Sequence, residues 1–224
     1  RIDTSVVLSA VIAWIVNPPL FDDGWVLSTV RAFPELGFFS NFFTVGNAAQ
    51  PMGYWWTTIE RLWLSNEATP VALLRIPAAL LVVIGWVVLR RYVLEAAVGG
   101  WRRSAIWMAA ITYCLYVFAF SPTLRPEPLI ALLLVIELGL VARFHTSAEP
   151  RVLTLLAAVP AIAVACHHTG LLVACAGLAA LPDLWAWMRG DQAARRVVGS
   201  VVVSAGLLLG LLLMMGSNLS VLDS

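Results

Sequence analysis

The sequence predicts an all-α integral membrane protein, a multispan helical bundle, on three observations. Of 224 residues, 61% are hydrophobic and 12% charged, against about half apolar and about a quarter charged in an ordinary soluble domain. Mean hydropathy is +0.88. The apolar residues fall in long runs bounded by Arg, Pro or Gly clusters, and a compact fold in water has no interior large enough to hide them all.

In chain order, spans are expected near 4–20, 70–90, 104–121, 128–144, 152–167, 170–188 and 197–215, about seven in all. The fifth and sixth are short and separated only by Cys166-His167-His168-Thr169-Gly170, so a tight helical hairpin that barely reaches the outer surface is the alternative for that pair. All 14 basic residues are Arg. With Arg1 placed inside, Arg90, Arg91, Arg102, Arg103, Arg143, Arg151, Arg189, Arg195 and Arg196 join it, and Arg31, Arg61, Arg75 and Arg125 lie outside. That asymmetry sets the orientation by the positive-inside rule. The chain opens on Arg1-Ile2-Asp3 and closes on Asp223-Ser224, and it is expected to be an excerpt of a longer protein.

The connection 21–69 falls on the outer side and is neither polar nor Ser/Gly-rich, so it is expected to be structured. From Gly53 to Leu64, the residues Trp55, Trp56, Ile59, Leu62 and Trp63 recur at three-to-four spacing, with Thr57, Thr58, Glu60 and Arg61 largely elsewhere. This predicts a helix lying in the membrane interface on its apolar stripe. Trp25 to Phe33 repeats the pattern more weakly, with Val26, Val30 and Phe33 on one face. Four of the ten tryptophans, Trp25, Trp55, Trp56 and Trp63, lie in this connection, where they can anchor at headgroup level or stack on sugar rings.

A net charge of +1 excludes nucleic-acid binding through a basic face. Cys114, Cys166 and Cys175 lie in apolar runs without metal-ligand spacing, which argues against a disulfide framework and a zinc site. The residues able to carry chemistry collect instead at the outward turns. Asp22-Asp23-Gly24 follows the first span; adjacent carboxylates at a membrane boundary either cap the next helix or are used. In use, one of the pair becomes a general base near neutral pH, and both can ligate a divalent cation. Leu124-Arg125-Pro126-Glu127-Pro128 is a stiff turn. In it Arg125 is either a surface side chain or a bidentate phosphate holder, and Glu127 can orient its guanidinium or ligate a cation. Arg75, beside Pro77, is a weaker companion that snorkels by default. His167-His168-Thr169-Gly170 is either a plain helix-ending turn or a hydrogen-bond donor to a bound phosphate or sugar. Glu137, midway along the fourth span, must face the bundle or be neutral. A hydrogen-bonded structural role suits it better than a proton relay, which would want partners at the same depth. The sequon-like Asn218-Leu219-Ser220 carries little weight.

The order of these turns resembles a known family. Phe21-Asp22-Asp23-Gly24-Trp25, Ser40-Asn41-Phe42-Phe43, Pro51-Met52-Gly53-Tyr54-Trp55-Trp56, Arg75-Ile76-Pro77, Leu124-Arg125-Pro126-Glu127 and Thr169-Gly170 look like the membrane core of the Emb-type arabinofuranosyltransferases, over about residues 4 to 190. The resemblance implies a glycosyltransferase of the C superfamily, with residues 1–224 a partial transmembrane core, 21–69 its outer-face catalytic loop, and the soluble outer domains of the parent chain not included. It also implies the plasma membrane as location, with the active site facing the periplasm or cell exterior. The implied donor is decaprenyl-phosphate-arabinofuranose and the acceptor a growing cell-wall arabinan. A dimer with a second copy or a related transferase is implied as well. By carry-over, Asp22 is the general base and Asp23 supports it or binds acceptor. Arg125 and His168 would hold the donor phosphate, and Glu127, Asn41, Trp55 and Trp56 donor or acceptor. No metal site is expected, and a divalent cation at the carboxylates is the one cofactor left open.

Ala48-Ala49-Gln50 and Thr44 depart from the acidic stretch and the Arg usual in the family, and His168 stands where the family prefers Pro, which affects acceptor contacts and linkage. The rival readings are a transporter or flippase of a lipid-linked sugar, which would want polar groups along a path through the bilayer, and a mannosyltransferase of the same superfamily.

Overall fold

The computed structural model describes residues 1–19, 23–36, 55–64, 69–95, 103–120, 123–147, 149–190 and 193–216, excluding the side chains of Ala193 and of 211–216. Asp22, Asn41, Thr44, the 48–50 stretch and the sequon-like triplet therefore lie outside the described residues. Within them every regular element is helical.

The first apolar run forms α1 (Ile2–Val16), which stops where Asn17 turns extended before two prolines. Two shorter helices follow, α2 (Asp23–Leu36) and α3 (Trp55–Leu64). Next come α4 (Val71–Leu94), α5 (Arg103–Phe120), α6 (Glu127–Ser147), α7 (Pro150–Cys166), α8 (His168–Met188) and α9 (Ala193–Gly216). Each of the seven expected spans coincides with a helix. Among the described residues four helices, α4, α5, α6 and α8, are long and apolar enough to cross a membrane; α1 and α7 are apolar but have 15 and 17 residues. At about 1.5 Å per residue, seventeen residues reach roughly 25 Å, less than a ~30 Å hydrocarbon core. The hairpin alternative for α7 and α8 thus describes one short helix against one full-length helix.

Two packing groups make the bundle. Helices α1, α4 and α5 meet around Ala10, Ala13, Val82 and Val117, with a second cluster at Val6, Trp86 and Ala110. Helices α6, α7 and α8 meet around Ile130, Leu133, Val159, Ala163 and Val173, and α3 sets Trp56 into the same cluster. The α4 and α6 helices join the groups. Helix α9 lies against α7 at close range: a Cβ on Gly206 would stand 2.5 Å from the Ala157 Cβ, and one on Gly210 2.7 Å from that of Ala161. This is the small-residue packing by which helices associate in lipid, where no hydrophobic driving force separates helix from solvent. Large apolar residues such as Leu8, Ile84, Met108, Leu115 and Leu172 are exposed along the helices, as lipid-facing surfaces require.

The interfacial helix α3 corrects the expectation from its helical wheel. Its buried residues are Trp56, Glu60 and Leu64, while Leu62 is 84% exposed and Ile59 is also exposed. The apolar stripe is therefore split: part of it faces outward, and the side turned to the bundle carries an acid. In a soluble protein the most apolar face turns inward; beside lipid it need not, because the outside is apolar too.

Candidate functional site at one end of the bundle

The starts of α2, α4, α6 and α8 and the ends of α1, α5 and α7 bring their polar residues to one end of the bundle. Asp23 begins α2 and is 1% exposed. Its Oδ1 accepts a hydrogen bond from the Thr123 hydroxyl at 2.5 Å and another from the Leu124 backbone N–H at 2.8 Å. Thr123 Oγ1 in turn accepts from the Arg125 backbone N–H at 3.2 Å. The Arg-Pro-Glu turn is thus built onto the carboxylate that follows Asp22, a hundred residues earlier in the chain. Prolines 126 and 128 restrict the turn, and Arg125 pairs with Glu127 across it. Both side chains keep partial access to the surroundings, 34% and 24%.

Helix α3 closes one side. The Trp56 indole N–H donates to the Leu124 carbonyl at 3.3 Å, and the ring packs edge-on against Trp63 at 5.8 Å. One turn on, the buried Glu60 carboxyl oxygens have no hydrogen-bond partner among the described residues. Burial pushes its pKa well above the ordinary carboxylate range, and the negative charges of Asp23 and Glu127 push it further. Arg61, on the outward side, stacks over the Phe33 ring of α2 at 3.6 Å. Trp55 packs against the cluster centred on Trp56.

Arg75, read from sequence as a snorkelling residue, is instead buried at 4% exposure. It donates to the Asn17 carbonyl at the end of α1, at 2.9 Å, and lies close enough to Asp23 for the two charges to interact. A positive group here offsets the carboxylates gathered around it.

At the α7–α8 turn, His167 leaves the helix in an extended conformation. Its Nδ1 lies 2.8 Å from the Thr169 hydroxyl, and the His168 ring packs against it, tilted by 41°, at 3.8 Å between centroids. His167 is half-buried and its pKa is lowered to about 4, by burial first and then by the positive charges of His168 and Arg125. His168, the histidine singled out by position, is exposed. The conformation needs Gly170: a Cβ there would stand 2.2 Å from the Ala163 carbonyl atoms and 2.5 Å from the Val164 nitrogen, all backbone.

Of the sequence-predicted site residues, Asp23, Arg125, Glu127 and Trp56 therefore meet in one cluster, with Trp55 beside it and His168 on the surface of the adjoining turn. Asp22 and Asn41 lie outside the described residues. Thr123 and Glu60 join the cluster without having been singled out, and His167, read only as part of its turn, joins it in place of His168. The Thr123-to-Asp23 contact carried no signal in the sequence, whereas an acid on a Trp-rich helix could have been asked which side it faced. Among the described residues no group of three or more His, Cys, Asp or Glu is arranged to hold a metal ion. Chemically, the cluster offers a fixed carboxylate at a helix start, a guanidinium with partial access, and a half-buried neutral imidazole.

Sequence comparison bears directly on this arrangement. The family described as mycobacterial cell wall arabinan synthesis protein matches residues 1–222. Similar curated proteins include probable arabinosyltransferase A of Mycobacterium tuberculosis (strain CDC 1551 / Oshkosh), 28% identical over 149 residues, covering 64% of this chain and 14% of that protein. Probable arabinosyltransferase B of Mycolicibacterium smegmatis is 28% identical over 182 residues, covering 80% and 16%. Probable arabinosyltransferase C of the same organism is 30% identical over 130 residues, covering 56% and 12%. The chain thus spans well under a fifth of the length of these relatives. With a match over nearly its whole length, the chain belongs to the mycobacterial cell wall arabinan synthesis protein family.

Proposed function

We propose that this chain is the membrane core of an inverting arabinofuranosyltransferase. It moves arabinofuranose from decaprenyl-phosphate-arabinofuranose to a growing cell-wall arabinan, on the outer face of the plasma membrane. The observation that carries this reading is the bond pair from Thr123 and Leu124 to the Asp23 carboxylate. It couples Asp23, the sequence neighbour of the proposed base Asp22, to the turn that carries the proposed phosphate holder Arg125. Family membership and the names of the relatives support the sugar and the polymer.

In this mechanism Asp22 takes the proton from the acceptor hydroxyl as that oxygen attacks the anomeric carbon. The bond to the decaprenyl phosphate breaks on the opposite face and the configuration inverts. Asp23 is the positioning residue, since its Oδ1 is engaged and it is buried. Arg125, held by its backbone to Thr123, stabilises the charge that builds on the leaving phosphate, which needs no strong acid. Glu127 orients the guanidinium. His167, neutral near pH 7, offers a hydrogen bond without adding charge, and His168 is a second contact from the same turn. Trp55, Trp56 and Asn41 are assigned to donor or acceptor contacts. A second copy or a related transferase completes the working assembly.

The test uses membranes expressing the full-length protein in a host without arabinosyltransferases. Labelled decaprenyl-phosphate-arabinofuranose and decaprenyl-phosphate-mannose are offered in parallel with a short arabinofuranoside acceptor. Transfer of arabinose alone is expected. Transfer of mannose would move the chain to another activity of the superfamily. Movement of the intact lipid-linked sugar across the membrane without transfer would make it a flippase.

A further inference from the structure

The opposite end of the bundle holds a second polar feature. Between α4 and α6 lies a groove of about 550 Å³ walled by Val88, Ile136, Leu140 and Ala142, with Arg91 and Arg143 on its lining. Sixteen residues separate Arg75 from Arg91 on α4 and Glu127 from Arg143 on α6. At about 1.5 Å per residue this puts the groove roughly 24 Å from the site described above, close to the span of a hydrocarbon core. The groove and the candidate site therefore address different leaflets.

Three details define the ligand chemistry. First, among the described residues Arg91 forms no ion pair and Arg143 pairs only with Glu149, at 3.7 Å, with both side chains exposed. Such a pair is too loose and too wet to neutralise the arginine. Second, α4 widens into a π-helical turn over Leu89–Leu94, which carries Arg91 and Tyr92 at the groove. Wide turns of this kind recur at binding sites. Third, Tyr92 is 61% exposed and Thr146 lines the same opening, an amphipathic fringe suited to headgroup depth. Two cationic forks above an apolar floor at a membrane surface match a phosphodiester with acyl chains attached, and not a free anion, which would leave the floor uncovered.

We propose that this groove binds one anionic phospholipid of the leaflet opposite the candidate active site, its phosphate held between Arg91 and Arg143 and its acyl chains along Ile136 and Leu140. The site needs only the membrane reading of the chain and stands independently of the transferase reading. By the usual electrostatic increment for a basic residue at an anionic membrane surface, each arginine is worth roughly fivefold in occupancy.

The experiment measures retained lipid on the full-length protein by native mass spectrometry after reconstitution with equimolar phosphatidylglycerol and phosphatidylcholine. Wild type is expected to keep phosphatidylglycerol preferentially, and inorganic phosphate is expected not to displace it. Arg91→Gln with Arg143→Gln should lower retention about 25-fold, and Arg91→Lys with Arg143→Lys should preserve most of it. Should the glutamines impair folding, the lysine pair and the salt dependence of retention in wild type carry the test. Equal retention of both lipids, full retention by the double glutamine variant, or displacement by inorganic phosphate overturns the proposal. A groove filled by another segment of the full-length protein would give the first of these results.

Discussion

Thr123→Val is the most informative single change, because it alters one atom of the contact that joins the acidic helix start to the Arg-Pro-Glu turn. The substitution keeps the shape of a side chain that is 1% exposed and removes two hydrogen bonds: the 2.5 Å donation to Asp23 and the 3.2 Å acceptance from the Arg125 N–H. A bond to a carboxylate contributes about 1.5–3 kcal/mol and a neutral one about 0.5–1.5 kcal/mol, so a loss of about 2–4 kcal/mol is expected. The Leu124 N–H remains as a partner for Asp23, which keeps the loss from being larger. Because the bond also fixes the backbone of Arg125, a shift of the turn of about 1 Å lowers transfer by roughly a hundredfold. Two readouts separate fold from site: the folded fraction after graded heating in detergent, and kcat/KM for arabinose transfer measured well below the new midpoint. Thr123→Ser, which keeps the hydroxyl, should restore most of both. Wild-type stability and transfer in Thr123→Val, or equal damage by Val and Ser, would refute the reasoning.

Three further outcomes follow from neighbouring geometry. Gly170→Ala forces a methyl against the Ala163 backbone and should cost at least about 1–3 kcal/mol, read as a lower thermal midpoint with poor expression of folded protein. His167 has its pKa lowered from 6.5 to about 4 in the fold, so below pH 6.5 the unfolded chain binds the proton first. Stability present above pH 6.5 should therefore be lost progressively as pH falls towards 4, and His167→Gln should flatten that part of the profile; an unchanged slope would exclude His167 as its source. Glu137 is fully buried and neither carboxyl oxygen has a hydrogen-bond partner among the described residues. An apolar residue of similar volume should fit at least as well, and Glu137→Leu is expected to match or exceed wild-type stability and to retain transfer. Loss of function in that variant at full expression would shift the chemistry to mid-membrane, as a transporter requires.

How much of this was readable in advance depends on which solvent a residue meets. The helices of the bundle were legible because apolar run length is set by bilayer thickness, which needs no tertiary knowledge. Asp23 and the Arg125 turn stood out because paired charges and prolines at a membrane boundary are costly unless employed. The orientation of α3 was not legible, because an amphipathic stripe ranks faces only when one side is water. With lipid outside, Leu62 faces outward and Glu60 turns in. Arg75 misled for a related reason: snorkelling describes an isolated helix, whereas here the Asn17 carbonyl and the charge of Asp23 await it. The choice between His167 and His168 turned on a backbone break at Cys166 that adjacent identical residues do not disclose.

The central claim, that the carboxylate pair and the Arg125 turn form a glycosyl-transfer site, is tested most directly by Asp22→Asn in the full-length protein. The rate of arabinofuranose transfer from the decaprenyl-phosphate donor is measured at matched expression and matched thermal midpoint. The account predicts a folded protein with transfer reduced by at least about a hundredfold, the range lost with a general base. Undiminished transfer by Asp22→Asn would contradict it.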